Sequence, residues 1–260
     1  MSGADHAAGR SLQTDGPLAF ETVILAAGMG TRLGRPHPKP LTPLRTGQTI
    51  MRRQVDYLRQ TYGTALRITA VVGFKLDIVM EANPDIAFVY NPFYDTTNTS
   101  KSLLVALRLT GPGPVLWFNG DVVFDPALLP FLRDRVGGDR SFVCVNTESV
   151  AEEEVKYTLD ESGAIRELSK TVAGGLGEAV GINYVAARDK AVLIRRLEQC
   201  DDTDYFERGI ELAIEHDVVR VEPLDISQFG CVEVDIQDDL DRANDFVRST
   251  GNDVIGSETD

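Results

Sequence analysis

Residues 22–41 read TVILAAGMGTRLGRPHPKPL. The apolar run Thr22–Ala26 predicts a short buried strand, and it ends abruptly in Gly28-Met29-Gly30-Thr31-Arg32. Glycines let backbone N–H groups approach a ligand with no Cβ in the way. Consecutive N–H groups, with Arg32 in the loop and Lys39 seven residues on, suit a polyphosphate. Two look-alike loops fail on spacing. A P-loop needs GxxxxGK[ST], which is absent. A dinucleotide turn needs GxGxxG, and here the third glycine is Gly34.

Working outward, residues 22–60 hold Arg32, Arg35, Lys39, Arg45, Arg52, Arg53 and Arg59 against one acid, Asp56. The whole chain of 260 residues carries 26 Lys and Arg against 40 Asp and Glu, a net charge of -14. That balance argues against nucleic acid or an anionic membrane as partner. A basic island in an acidic chain points instead to a local anion site.

Further apolar runs at 67–73, 86–90 and 114–119 alternate with helical patterns. Met51, Val55, Leu58 and Tyr62 mark one helix face, closed by Gly63 as C-cap. Residues 100–109 predict a second helix, and Asp125-Pro126 a third with a cap and an N1 proline. Strands alternating with helices predict an α/β fold with a doubly wound, mostly parallel sheet. In the second half, 141–146 predicts a strand. Residues 155–170 predict a hairpin turning at Ser162-Gly163, and 177–187 a further strand. Helices are expected near 188–199 and 204–215. A late strand over 229–236 leads into a closing helix with Ile236, Leu240, Ala243 and Val247 on one face. Period-two alternation places Glu233 and Asp235 together, opposite Val232, Val234 and Ile236.

The expected organisation is an arm at 1–17, one domain at 18–250 and a tail at 251–260. Within that domain, residues 18–135 are expected to form the larger part around the glycine loop, and 136–235 an inserted lobe. Residues 1–17 lack the apolar core of a signal peptide, and no run approaches a membrane span. Cys144, Cys200 and Cys231 form no CxxC pair, which suits reduced thiols and a cytoplasmic setting.

LAAGMGTRL and Pro38-Lys39-Pro40-Leu41 resemble the signature of the sugar-phosphate and alcohol-phosphate nucleotidyltransferases. Val89-Tyr90-Asn91-Pro92-Phe93-Tyr94, Asn98-Thr99-Ser100 and Ser102-Leu103 resemble a segment of the phosphocholine-type cytidylyltransferases. So does the order Glu154, Lys156, Lys170, Glu178, Gly181, then Tyr205-Phe206-Glu207. Thr99 stands where that branch often has a second Asn. The likeness spans about residues 20–248.

This resemblance implies a Rossmann-like fold of the nucleotide-diphospho-sugar transferase type with a small β-rich substrate lobe, residues 18–135 mainly binding the nucleotide and 136–235 mainly the acceptor. It implies transfer of CMP from CTP to a small phosphate or phosphonate monoester, with Mg²⁺ and release of pyrophosphate. Gly28, Gly30, Thr31, Arg32 and Lys39 would hold the triphosphate. Leu25, Ala26 and Ala27 would approach the base, and Gly73, Asn98 and Ser102 would complete the nucleotide site. Asp121 and Asp235 would bind the metal and, with Arg32 and Lys39, form the catalytic set. Lys156, Glu178, Tyr205 and Glu207 would meet the acceptor, with Lys170 a weaker candidate. No general base is required, because a phosphate monoester is already anionic near neutral pH. The alternatives are a sugar-1-phosphate nucleotidyltransferase using dTTP, GTP or UTP, and an inactive nucleotide-sensing subunit.

Overall fold

The computed structural model describes residues 20–136, 138–148 and 154–249. The arm expected at 1–17 and the tail at 251–260 lie outside the described residues.

The first half alternates strand and helix through the runs that the periodicity predicts, with two further elements among them. β1 (Glu21–Ala26) is followed by α1 (Ile50–Tyr62), β2 (Ile68–Val72), α2 (Leu76–Ala82) and β3 (Ala87–Tyr90). Next come α3 (Thr99–Leu109), β4 (Val115–Asn119), β5 (Val122–Phe124) and α4 (Leu128–Val136). Thr49 caps α1 by accepting the Arg52 amide, and Gly63 closes it at φ 85°. The second half runs β6 (Ser141–Asn146), the hairpin β7 (Lys156–Leu159) and β8 (Ile165–Ser169), then β9 (Glu178–Val185). α5 (Ala187–Gln199), α6 (Phe206–Asp217), β10 (Val221–Asp225), β11 (Cys231–Glu233) and α7 (Gln237–Ser249) complete it.

The main sheet has the order β10-β6-β9-β4-β1-β2-β3. β1 pairs in parallel with β2 and β4, and β2 with β3. β9 runs antiparallel to both β4 and β6. The β7–β8 hairpin attaches to β9 at Lys156 and Glu178. From β1 the chain winds one way through β2 and β3, then returns to lay β4 on the other side of β1. That reversal opens a crevice at the carboxyl ends of β1 and β4, where ligands bind in such sheets.

Alternation along β1 explains the two layers. Ile24 and Ala26 pack with Met51, Val55 and Leu58 of α1. Val23, Leu25 and Ala27 face the other way, into the layer holding Leu103 and Leu107 of α3. Each buried Val, Leu, Ile or Met among them contributes about 2 kcal/mol. A third cluster joins Leu33 of the signature loop and Leu44 just beyond it to Val234, Leu240, Ala243 and Val247. It seats α7 beneath the loop, so the two ends of the domain meet at one place.

Two readings are corrected. The late strand is three residues long, Cys231–Glu233, rather than spanning 229–236. Val234 still donates its N–H to the Asp121 carbonyl, but the N–H groups of Asp235 and Ile236 go to the Asp239 carboxylate, which ends the ladder. Ile236 is 45% exposed and stands outside the buried face of α7, which Leu240, Ala243 and Val247 form. α2, β5 and β10 are additions that the periodicity did not predict.

Candidate active site

The crevice at the β1–β4 switch holds a cavity of about 280 Å³. Its wall includes Leu25, Ala26, Gly28, Gly30, Arg32 and Lys39 from the signature segment. Gly30 has φ 60°, and a Cβ there would stand 3.0 Å from the Lys39 Cβ. The loop thus doubles back so that Lys39 lies against its own glycine turn. Lys39 opens a short 3-10 turn, Lys39–Leu41, after Pro38.

The Lys39 ammonium donates to Asp121 Oδ2 at 2.8 Å and also to Asp235 Oδ1. Arg32 pairs with the other oxygen of Asp235 at 2.7 Å, while its side chain stays 62% exposed. Burial works to lower the Lys39 pKa, but the charges and hydrogen bonds of Asp121 and Asp235 outweigh it and raise the pKa above its ordinary value. Lys39 therefore stays cationic at neutral pH.

Asp121 sits on the turn between β4 and β5. Glu233 and Asp235 come from the segment that pairs with β5, where Glu233 lies opposite Val122. Carboxylate oxygens of Asp121, Glu233 and Asp235 lie within 4.8 Å of one another. Burial first, then the nearby Asp121, pushes the Glu233 carboxyl well above the usual carboxylate range. Like charges held this close favour protonation or a cation. Three hard oxygen donors on an open cavity fit a divalent ion such as Mg²⁺, which keeps water and phosphate among its ligands.

The far wall is formed by Asn98, Thr99, Glu154, Lys170, Tyr205, Phe206 and Glu207. Asn98 caps α3, accepting the Thr99 N–H at 2.8 Å and donating to the Thr203 carbonyl at 3.1 Å. The Thr99 hydroxyl accepts the Phe206 N–H at 3.1 Å, which docks the start of α6 against the start of α3. Glu207 is 8% exposed, and its Oε2 has no hydrogen-bond partner among the described residues. Burial raises its pKa to about 7, partly offset by a hydrogen bond from its own backbone and then by Lys170. Glu154 is likewise raised, again chiefly by burial. The Lys170 ammonium lies 4.9 Å from the centre of the Tyr205 ring, a cation–π contact.

Several sequence candidates fall elsewhere. Gly73 is off the cavity wall: a Cβ there would meet the Tyr94 Cβ at 2.4 Å and the Ala27 carbonyl oxygen at 2.6 Å, so its role is close packing. Ala27 is buried, and its carbonyl accepts the Phe74 N–H. Ser102 is buried and accepts from Asn91 Nδ2 at 3.1 Å. Lys156 and Glu178 face each other across the β7–β9 pairing, and the Lys156 stem lies against Gly175. On the far wall of the cavity stands Lys170 rather than Lys156. The Thr31 side chain lies outside the described residues.

Glu233, Glu154 and Asn119 join the wall without having been assigned a role from sequence. For Glu233 the signal was present, since alternation had already placed it beside Asp235.

Three comparisons bear on this site. Residues 22–203 match the family model described as the MobA-like NTP transferase domain. Over 130 residues the chain is 35% identical to CMP-5'-(3-aminopropyl)phosphonate synthase of Streptomyces rubellomurinus. That match covers 46% of this chain but only 20% of the relative, so the chain spans about a fifth of that protein's length. Among solved structures, the inositol-1-phosphate CTP transferase of T. maritima superposes with a TM-score of 0.76 at 15% identity, covering 93% of this chain and 99% of that one. CTP:phosphocholine cytidylyltransferase of Streptococcus pneumoniae superposes with a TM-score of 0.71 at 18% identity, covering 88% and 100%. These two carry the fold, and the family match carries the assignment. The chain belongs to the MobA-like NTP transferase family, as a nucleotidyltransferase domain that resembles the cytidylyltransferase branch.

Proposed function

We propose that this domain transfers CMP from CTP to an oxygen of a phosphonate or phosphate monoester and releases pyrophosphate. The observation that carries the reading is the meeting of Arg32 and Lys39 with the carboxylates of Asp121, Glu233 and Asp235 at one end of the cavity. Cytidine nucleotides are favoured because the phosphonate relative and two of the similar solved structures are named for CMP or CTP.

In the proposed reaction an acceptor oxygen attacks the α-phosphorus of CTP. The new O–P bond forms as the bond from that phosphorus to the bridging oxygen breaks, and pyrophosphate leaves. The acceptor is anionic, so no side chain has to remove a proton. The barrier is repulsion between two anions, which Arg32 and Lys39 offset by charge. Asp121, Glu233 and Asp235 would hold Mg²⁺, which supplies charge neutralisation at the phosphates when bound. Gly28 and Gly30 let the loop backbone lie against the triphosphate, and the rigid ends of β1 and β4 fix the approach.

The acceptor end favours an amine-bearing substrate over a polyol. Glu207 offers a buried carboxylate oxygen without a hydrogen-bond partner among the described residues, beside Glu154 and the Tyr205 ring. A cation satisfies that oxygen, whereas a hydroxyl leaves most of its charge uncompensated. Lys170, on the same wall, supplies positive charge for an acceptor's phosphoryl group.

The test is pyrophosphate release with each of four nucleoside triphosphates against a panel. The panel holds 3-aminopropylphosphonate, 2-aminoethylphosphonate, phosphocholine, inositol-1-phosphate and hexose-1-phosphates. The expected result is at least tenfold preference for CTP with an amine-bearing acceptor. Highest turnover with dTTP, GTP or UTP and a hexose-1-phosphate would overturn the reading.

A further inference from the structure

The two aspartates that receive Lys39 are held by their backbones from opposite sides. Gln54 lies in the middle of α1, is 2% exposed, and never reaches the cavity. Its Nε2 donates to the Asn119 carbonyl at 2.9 Å and to the Val122 carbonyl at 2.8 Å. Those carbonyls bracket Gly120-Asp121, so one side-chain amide staples both ends of the turn that carries Asp121. The Gln54 Oε1 has no partner among the described residues, so its NH₂ group alone makes the staple.

Asp239 does the converse for Asp235. Its Oδ2 accepts the N–H groups of Asp235 and Ile236, both at 2.9 Å, and its Oδ1 accepts from Arg242 at 2.6 Å. This is the inner half of a capping box, with the carboxylate three residues into the helix reaching back to the free amides. Ile236 cannot supply the outer half. Because Asp239 closes the end of α7, the Asp235 side chain is not used as a cap. It is left to meet Arg32 and Lys39. A main-chain bond from Val234 N–H to the Asp121 carbonyl ties the two segments together at 3.0 Å.

We infer that Gln54 and Asp239 are positioning residues that set the spacing of the Asp121 and Asp235 carboxylates, and hence the affinity of the site for a divalent cation. Gln54 supplies donors to carbonyls, and Asp239 supplies an acceptor to amides. Each acts through a backbone rather than on the ion. The inference rests on the metal reading given under Proposed function.

Binding of Mn²⁺ to the full chain, read from the electron paramagnetic resonance signal of free Mn²⁺, separates the possibilities. Melting temperature is followed for each variant. Parent protein is expected to bind Mn²⁺, and Asp121→Ala to lose that binding. Gln54→Met and Asp239→Ala are each expected to weaken Mn²⁺ at least tenfold. Asp239→Asn, which keeps an oxygen acceptor, is expected to remain within threefold of the parent. Gln54→Asn keeps the amide but shortens its reach by one methylene, and it carries the comparison if Gln54→Met fails to fold. It too is expected to weaken Mn²⁺ at least tenfold. Lowered melting temperature with Mn²⁺ affinity within threefold of the parent in the Gln54 and Asp239→Ala variants would overturn the inference while leaving the metal reading intact. Equal, negligible Mn²⁺ binding by the parent and Asp121→Ala would overturn both.

Discussion

Replacing Glu207 by Gln tests the acceptor end of the proposal. The side chain keeps its shape and loses its charge, in a site only 8% exposed. A unit charge ~4 Å away across an effective dielectric of about 20 interacts by ~4 kcal/mol before desolvation is subtracted. Hydrogen bonds to charged groups net about 2 kcal/mol, or roughly thirtyfold in binding. Glu207→Gln should therefore raise KM for an amine-bearing acceptor about thirtyfold and leave KM for CTP within threefold. The proton adds a second readout. With the carboxyl raised to about 7 by burial, its ionised share climbs from about a tenth at pH 6 to about nine-tenths at pH 8. The kcat/KM ratio of amine-bearing to hydroxyl-bearing phosphonate should rise close to tenfold over that interval in the parent. It should stay flat in Glu207→Gln. Taking the ratio cancels the titration of the phosphonate itself. Because burial keeps a proton on Glu207 in the native state that the unfolded chain has released, stability falls as pH rises from about 4.5 through about 7. Glu207→Gln should then melt several degrees higher than the parent at pH 8. A parent ratio that does not change with pH, with the Glu207→Gln ratio within twofold of it, would refute the reasoning.

Lys39→Ala removes the cation that bridges Asp121 and Asp235 and should cut kcat/KM by about a thousandfold, in the range seen when a transition-state donor is lost; steady-state pyrophosphate release checks it. Lys170→Ala should raise acceptor KM at least tenfold and Lys156→Ala less than threefold, since only Lys170 stands on the cavity wall; the same assay with acceptor varied decides between them. Gly73→Ala forces a methyl into the Tyr94 ring stem and the Ala27 carbonyl, an overpacking cost of about 2 kcal/mol or more. Thermal melting should show a fall of several degrees.

The strand, turn and cation pattern of residues 22–41 was legible because each part obeys a short-range rule. β1 is a continuous apolar run, the glycines mark the turn, and Met51, Val55 and Leu58 fix the inner face of α1. Asp121 and Asp235 were legible through resemblance, and Glu233 through strand alternation. What stayed hidden depends on distant parts of the chain. The N-cap of α2 is Lys75, in the left-handed region and making no side-chain cap, so no start signal marks the helix. β5 is three fully buried residues whose pairing partner lies more than a hundred positions away. β10 carries Pro223, which reads as a strand breaker and is tolerated because β10 is an edge strand. Lys156 and Lys170 begin and follow the two arms of one hairpin. The attachment of that hairpin to β9 at Glu178 and the seating of β8 on α6, where the Leu168 N–H meets Glu211, decide which of them reaches the cavity. Gln54 looked like an ordinary polar position on a helix, because the carbonyls that it holds lie more than sixty residues later.

The most direct measurement is ³¹P NMR of the domain incubated with CTP, Mg²⁺ and 3-aminopropylphosphonate. The account predicts pyrophosphate and a CMP-linked phosphonate anhydride appearing in equal amounts, with both absent in Asp121→Ala. Intact CTP and unmodified acceptor after prolonged incubation, repeated across the phosphate and phosphonate panel, would contradict it.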